Sequence, residues 1–255
     1  MMKKLILGNW KLNLHKDEAK NLVEDLLQGP AHPNVDVGVA PVVTLIESVK
    51  NWAKDAPLWV GAQNAYFEEE GAFTGECGPR FLAEAGASFC IVGHSERRSL
   101  FGETNEWVQK KTEAIIKASM MPVACIGETL EQRKDGSLLR VLREQLLAIS
   151  SVLQTDIHAK QTVCIAYEPV WAIGTGVTPA PDDVKEAHTF IRAFLAEQLG
   201  ESSARETRLL YGGSVTPENA RVLLALPNVD GALVGRAALR ASSFGAIIAA
   251  AQSAT

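Results

Sequence analysis

The stretch AYEPVWAIGTG, Ala166 to Gly176, sets a carboxylate, Glu168, directly after a short apolar run and follows it with Val170, Trp171 and Ile173. A carboxylate that loses water to an apolar loop becomes more basic, which makes Glu168 a candidate general base. In IVGHSERRS, His94 ends a second apolar run, and Ser95, Glu96, Arg97 and Arg98 can begin a helical turn. The positive end of a helix dipole opposes a second proton on an imidazole there. A neutral imidazole can donate its proton to a carbonyl oxygen. In GNWKLN, Asn9 and Lys11 are two apart and would share one face of a strand. A lysine so placed is a fixed cation for an anionic substrate. Each residue also has a bland reading: a salt-bridged glutamate, a structural histidine, a solvated lysine. Their common position at the ends of apolar runs favours chemistry.

Those runs recur along the whole chain: KLILGN, VDVGVAP, LWVGAQ, FCIVGH, PVACIGE, TVCIAYE, RLLYGG and GALVGR. Continuous rather than alternating apolarity suits parallel strands covered on both faces. Between them lie segments with helical spacing. In DEAKNLVEDLLQG, Ala19, Leu22, Val23, Leu26 and Leu27 fall on one face and Gly29 stops the helix. TNEWVQKKTEAIIKASM opens with a Thr/Asn cap. PDDVKEAHTFIRAFLAEQLG has acidic residues in its first turn and a glycine after its end. Eight strands alternating with about eight helices predict a closed (β/α)₈ barrel, an α/β fold, as one domain over residues 1–255. A doubly wound open sheet is the alternative, but no Gly-x-Gly-x-x-Gly follows the first strand. In such a barrel the strand ends converge on one mouth. They carry Asn9 and Lys11, Gln63 and Asn64, His94 to Glu96, Glu128, Glu168, and the glycine-bearing YGGSV and VGRAAL, whose backbone can approach a phosphate.

Composition narrows the function classes. At 255 residues, 47% of them hydrophobic and 22% charged, the chain can bury a large core. A net charge of −5 argues against non-specific nucleic-acid binding. No apolar run has the roughly 18 residues needed to span a membrane. The start, MMKKLILGNWKLN, reads as a first strand rather than a secretory signal. Cys77, Cys90, Cys125 and Cys164 form no Cys-x-x-Cys pair, which argues against a zinc cluster and for a reduced, cytoplasmic protein.

GNWKLN, GAQNAYFEEEGAFTGE, IVGHSERR, CIGETLEQR, AYEPVWAIGTG, YGGSV and NVDGALVG together resemble the triosephosphate isomerase family, in order and spacing, from end to end. The resemblance implies interconversion of dihydroxyacetone phosphate and glyceraldehyde 3-phosphate, without metal or cofactor, by a homodimer. It implies that Glu168 moves the proton between two carbons and that His94 polarises the carbonyl and shuttles protons between the oxygens. Lys11 would stabilise the enediolate and the phosphate, Asn9 would add a hydrogen bond, and Glu96 would hold Lys11. Backbone N–H groups at Gly174, Ser214, Gly235 and Arg236 would grip the phosphate. VWAIGTG would be a lid, with Gly174 and Gly176 its flexible backbone and Pro169-Val170-Trp171 one hinge. The long third loop, NAYFEEEGAFTGECG, would insert into a partner subunit around Thr74. Phe67 and Phe73 in it have no evident reason to be exposed unless something covers them. The chain departs from the family at two places: Gly235-Arg236 where two glycines are common, and Val177-Thr178-Pro179 at the far hinge of the lid.

Two other functions compete with this one. A Schiff-base aldolase needs a buried lysine at mid-barrel, and the other strand runs carry none at their centres. A non-catalytic phosphosugar-binding protein would have lost Glu168, His94 or Lys11, and all three are present.

Overall fold

The computed structural model describes residues 2–155, 163–174 and 179–254. The eight apolar runs form β1 (Lys4–Asn9), β2 (Val35–Ala40), β3 (Leu58–Ala62), β4 (Phe89–Val92), β5 (Met121–Ile126), β6 (Cys164–Tyr167), β7 (Leu209–Tyr211) and β8 (Gly231–Val234). Each pairs in parallel with its sequence neighbours, and β1 pairs with β8 from Leu5 opposite Gly231 to Gly8 opposite Val234. The sheet is therefore a closed barrel, and the open-sheet alternative is excluded.

Closure explains the continuous apolarity of the strands. Leu5, Leu7, Phe89, Ile91, Val123, Cys125, Cys164, Ala166, Leu210 and Leu233 pack against one another and against no helix, so they face the barrel axis. Ile6, Val39, Val60, Val92, Ala124 and Ile165 face outward into the larger cluster that joins barrel to helices. Both strand faces are thus removed from water, each buried aliphatic side chain stabilising the fold by roughly 1.5–3 kcal/mol. Phe89 fills the axis between two strands that lack side chains at its level. A Cβ on Gly61 would lie 2.4 Å from the Phe89 ring, and one on Gly38 would lie 3.0 Å from it.

The helices follow the predicted spacing: α1 (Lys16–Gln28), α2 (Ile46–Ala53), α3 (Pro79–Glu84), α4 (Ser95–Phe101), α5 (Asn105–Lys117), α6 (Leu130–Lys134), α7 (Leu138–Thr155), α8 (Pro181–Leu199), α9 (Glu201–Glu206), α10 (Pro217–Leu224) and α11 (Ala241–Ser253). The Thr104 hydroxyl caps α5 by accepting from Trp107 N–H, and Gly200 ends α8. Three connections carry two helices each: α4 and α5, α6 and α7, α8 and α9. In α1, Ala19, Leu22 and Val23 are buried as predicted, but Leu27 lies outside the core stripe and is exposed. No described helix is long and apolar enough to cross a membrane.

His188, on α8, is fully buried beside Tyr167, its Nδ1–H donating to Asn228 O at 2.9 Å. Its Nε2 is buried with no partner among the described residues. A second proton would sit there without an acceptor, and burial accordingly lowers its pKa to about 4. In the unfolded chain a histidine titrates near 6.5, so the unfolded state binds the proton that the native state refuses. The His188 contribution to stability is complete above pH ~6.5 and is lost as pH falls to about 4, where the cost reaches roughly 3 kcal/mol. Urea unfolding at pH 7 and pH 4.5 should show this loss, and the His188→Gln variant should show a smaller one. Equal pH dependence in the two proteins would disprove the assignment.

Candidate active site

The C-terminal ends of the strands bring the acid–base residues together. Glu168 follows β6 directly, and its amide donates to Ile126 O at 2.7 Å, which locks it beside the end of β5. Two glycines make the room it needs. A Cβ on Gly127 would fall 1.7 Å from Glu168 O, and one on Gly212 would fall 2.8 Å from Glu168 Cγ. The carboxylate is almost fully buried. Its Oε2 accepts from Ser95 N–H at 2.8 Å, and its Oε1 lies 3.0 Å from His94 Nε2. Burial raises the Glu168 pKa, but His94 and the Ser95 amide outweigh burial and leave it below the ordinary glutamate value. Glu168 is therefore a carboxylate at neutral pH, able to accept a proton.

His94 sits where β4 gives way to α4. Gly93, with φ of +67°, turns the chain, and His94 is the N-cap of α4. The N-cap geometry aims the Glu96 amide at the ring: Glu96 N–H donates to His94 Nδ1 at 3.2 Å. With Nδ1 accepting, the single proton of a neutral ring is on Nε2, pointing at Glu168. Burial disfavours a second proton on His94 and the Glu168 carboxylate favours one. The carboxylate prevails, so the pKa lies above the usual histidine value. Above that pKa the ring is a neutral donor through Nε2.

Lys11 reaches the mouth in a way that strand alternation did not predict. β1 ends at Asn9, and Lys11 has a left-handed φ of +52°. For a residue with a Cβ that conformation costs about 1 kcal/mol. Three hydrogen bonds offset it. Lys11 N–H donates to Asn9 Oδ1 at 3.0 Å, and Gln63 Nε2 donates to Lys11 O at 2.8 Å and to Ala40 O at 2.9 Å. The ammonium then lies 2.5 Å from Glu96 Oε1. Glu96 thus has its amide on His94 and its carboxylate on Lys11, so one residue joins the two.

Gly235 flanks Lys11, since a Cβ there would lie 3.6 Å from Lys11 Cε. Arg236 begins a 3-10 turn, Arg236–Leu239, without a positive φ, and its side chain is exposed. Arginine is therefore unstrained where the family commonly has glycine. Ser214 O accepts from Asn219 Nδ2 at 3.0 Å, and Gly174 is exposed with φ of +72°. Among the described residues, no hydrogen bond joins Gly174, Ser214 or Arg236 to Lys11, His94 or Glu168. Gly176, Val177 and Thr178 of the predicted lid lie outside the described residues, and Pro179 is buried.

The turn predicted as the near hinge, Val170–Ala172, is held by a residue that the sequence marked only as a strand end. Trp171 Nε1 donates to Glu128 Oε1 at 2.7 Å, and Tyr167 O–H donates to the same oxygen at 3.2 Å. Glu128 is fully buried, and burial raises its pKa despite these donors. Its other oxygen has no partner among the described residues. Gln63 and Ser95, named from the sequence only as strand-end residues, Gly212, read only as a phosphate-loop glycine, and Gly127, not singled out, are likewise supports. For Glu128 the available signal was a carboxylate ending an otherwise apolar run. In the third loop, Phe67 is covered within its own chain, stacked on Tyr66 at 4.3 Å and edge-on to Trp107 at 5.5 Å. Phe73 and Thr74 are exposed.

A (β/α)₈ barrel whose mouth sets a buried carboxylate against a tautomerically fixed imidazole, with an ammonium alongside, is built like the barrel enzymes that move protons on anionic substrates. Sequence comparison sharpens that class. Residues 4–251 match the family described as Triosephosphate isomerase, and the chain belongs to it. It is 47% identical over 251 residues to a triosephosphate isomerase of Citrifermentans bemidjiense, covering 97% of this chain and 98% of that one. It is 45% identical over 250 residues to that of Magnetococcus marinus, with the same coverage, and 44% identical over 248 residues to that of Streptococcus pyogenes, covering 96% and 97%.

Proposed function

We propose that this chain interconverts dihydroxyacetone phosphate and D-glyceraldehyde 3-phosphate through an enediolate, a step of glycolysis and gluconeogenesis. Glu168 takes a proton from the carbon beside the carbonyl. The C–H electron pair becomes the enediolate double bond, and the carbonyl oxygen gains negative charge. His94 Nε2–H gives its proton to that oxygen and takes back the proton of the hydroxyl on the neighbouring carbon. The proton on Glu168 is delivered to the former carbonyl carbon, so that the hydroxyl oxygen becomes the new carbonyl. The observation that carries this reading is the chain of bonds from Glu96 N–H to His94 Nδ1 and from His94 Nε2 to Glu168 Oε1. It sets a proton donor and a proton acceptor side by side. Substrate atoms would displace the His94–Glu168 contact and be met by the same two groups. Lys11 supplies positive charge to the oxyanion and the phosphate, and Asn9 and Glu96 hold it. Backbone N–H groups of Gly174, Ser214, Gly235 and Arg236 complete the phosphate grip. The side chains account for every proton transfer, and the scheme calls for no metal or cofactor.

We further propose one catalytic domain over residues 1–255, working in the cytoplasm as a homodimer. Four unpaired cysteines fit a reducing compartment. Leu12, which follows Lys11, is 92% exposed, and Leu100 and Phe101, which end α4, are 73% and 66% exposed. Leu12 and α4 belong to the elements that present Lys11 and His94, Phe73 and Thr74 belong to the third loop, and a second subunit would cover these exposed groups.

Glu168→Gln should fold and still bind a phosphorylated substrate analogue while kcat falls at least ~10³-fold, roughly 4 kcal/mol of transition-state stabilisation. Steady-state assay within tenfold of wild type would remove Glu168 as the base. Arg236→Gly should change kcat/KM by less than about tenfold, because the backbone N–H and the negative φ survive the change. A hundredfold gain would mean that the arginine impairs the grip. Sedimentation at micromolar concentration should give about twice the chain mass, and a fully active monomer would refute the dimer.

A further inference from the structure

Behind His94 lies a buried ion pair that the proton transfers do not use. Glu103, between α4 and α5, has a fully buried side chain, and that of Lys111 on α5 is 1% exposed. Glu103 Oε1 accepts from Gly93 N–H at 2.7 Å. Its Oε2 accepts from Arg97 Nε at 2.7 Å and from Lys111 Nζ at 2.6 Å. Gly93 is the left-handed residue directly before His94, and its carbonyl is held in turn by Arg98 Nε at 2.8 Å. Charged groups thus grip the peptides on both sides of Gly93.

Lys111 also reaches the other way. Its Nζ donates to Asn64 Oδ1 at 2.8 Å, at the root of the third βα loop. It lies 5.6 Å from the centre of the Trp107 ring, which packs edge-on against Tyr66 and Phe67 of that loop. Replacing a buried ion pair by apolar groups is often neutral for stability, so stability alone does not call for a lysine here. The pair does supply direction: one carboxylate and one ammonium whose donors and acceptors fix two loops at once.

We propose that the Lys111–Glu103 pair is a positioning device that ties the root of the third βα loop to the turn presenting His94, and so holds the imidazole against Glu168. This inference rests on the assignment of His94 as the electrophile, and the test separates the two.

Protein carrying ¹⁵N-labelled histidine, with the His94 signals assigned by comparison with His94→Gln, reports the ring's proton directly. In wild type, Nδ1 should appear unprotonated and Nε2 protonated. Lys111→Met should shift both signals and lower kcat about tenfold, with KM within about twofold. Asn64→Ala leaves the ion pair in place and should act in the same direction by about threefold. It decides the matter alone if Lys111→Met does not fold. A folded variant with a lowered melting temperature and unmoved His94 signals would reduce the pair to a structural role and overturn the proposal. Moved signals with unchanged kcat would keep the positioning device and remove His94 as the electrophile.

Discussion

One amide hydrogen, donated by Glu96 to His94 Nδ1, decides where the imidazole carries its proton. The rest of the mouth is arranged around that bond. It exists because His94 is the N-cap of α4, and the cap falls there because Gly93 can turn the chain with φ of +67°. With Nδ1 occupied, Nε2 is the donor, and Glu168 is placed to meet it. Glu96 itself then uses its side chain to hold Lys11. The imidazole and a nearby cation are thus placed by one helical turn.

The cost of this arrangement falls on the backbone. Glu168 can approach β5 and β7 because Gly127 and Gly212 carry no Cβ, and any side chain at either position would collide with it. Lys11 adopts a conformation unfavourable to its own Cβ, held by Asn9 and Gln63. At Lys11 this backbone strain sits beside the site, and a rigid barrel over-determines it. Elsewhere the strands are regular and dry.

Much of this was legible in the sequence. Runs apolar on every residue, spaced by helical segments, are what a doubly covered parallel sheet requires, and their number gave the closed barrel. Strand ends gave Glu168, His94 and Lys11, because a polar residue closing an apolar run has few structural reasons to be there. The support network was less visible. Gln63 and Glu128 act through contacts more than twenty residues away in sequence, and no local pattern encodes such partners. The Lys11 turn was misread as strand alternation, because nothing in GNWKLN marks where the strand stops. The outward turn of Leu27 reflects a core stripe narrower than the sequence pattern.

Phe89 has an effect that reaches beyond packing. Its ring lies between Gly38 and Gly61, and the axial layer around it, from Leu5 to Leu233, is almost wholly inaccessible to solvent. Among the described residues, this buried layer lies between the N-terminal end of the barrel and the carboxylate. On the proposed assignment, a proton taken up by Glu168 would trade places with solvent deuterium through the mouth rather than through that layer. The isotopic fate of a migrating hydrogen is set on one side alone, by whatever covers that opening during the lifetime of the intermediate.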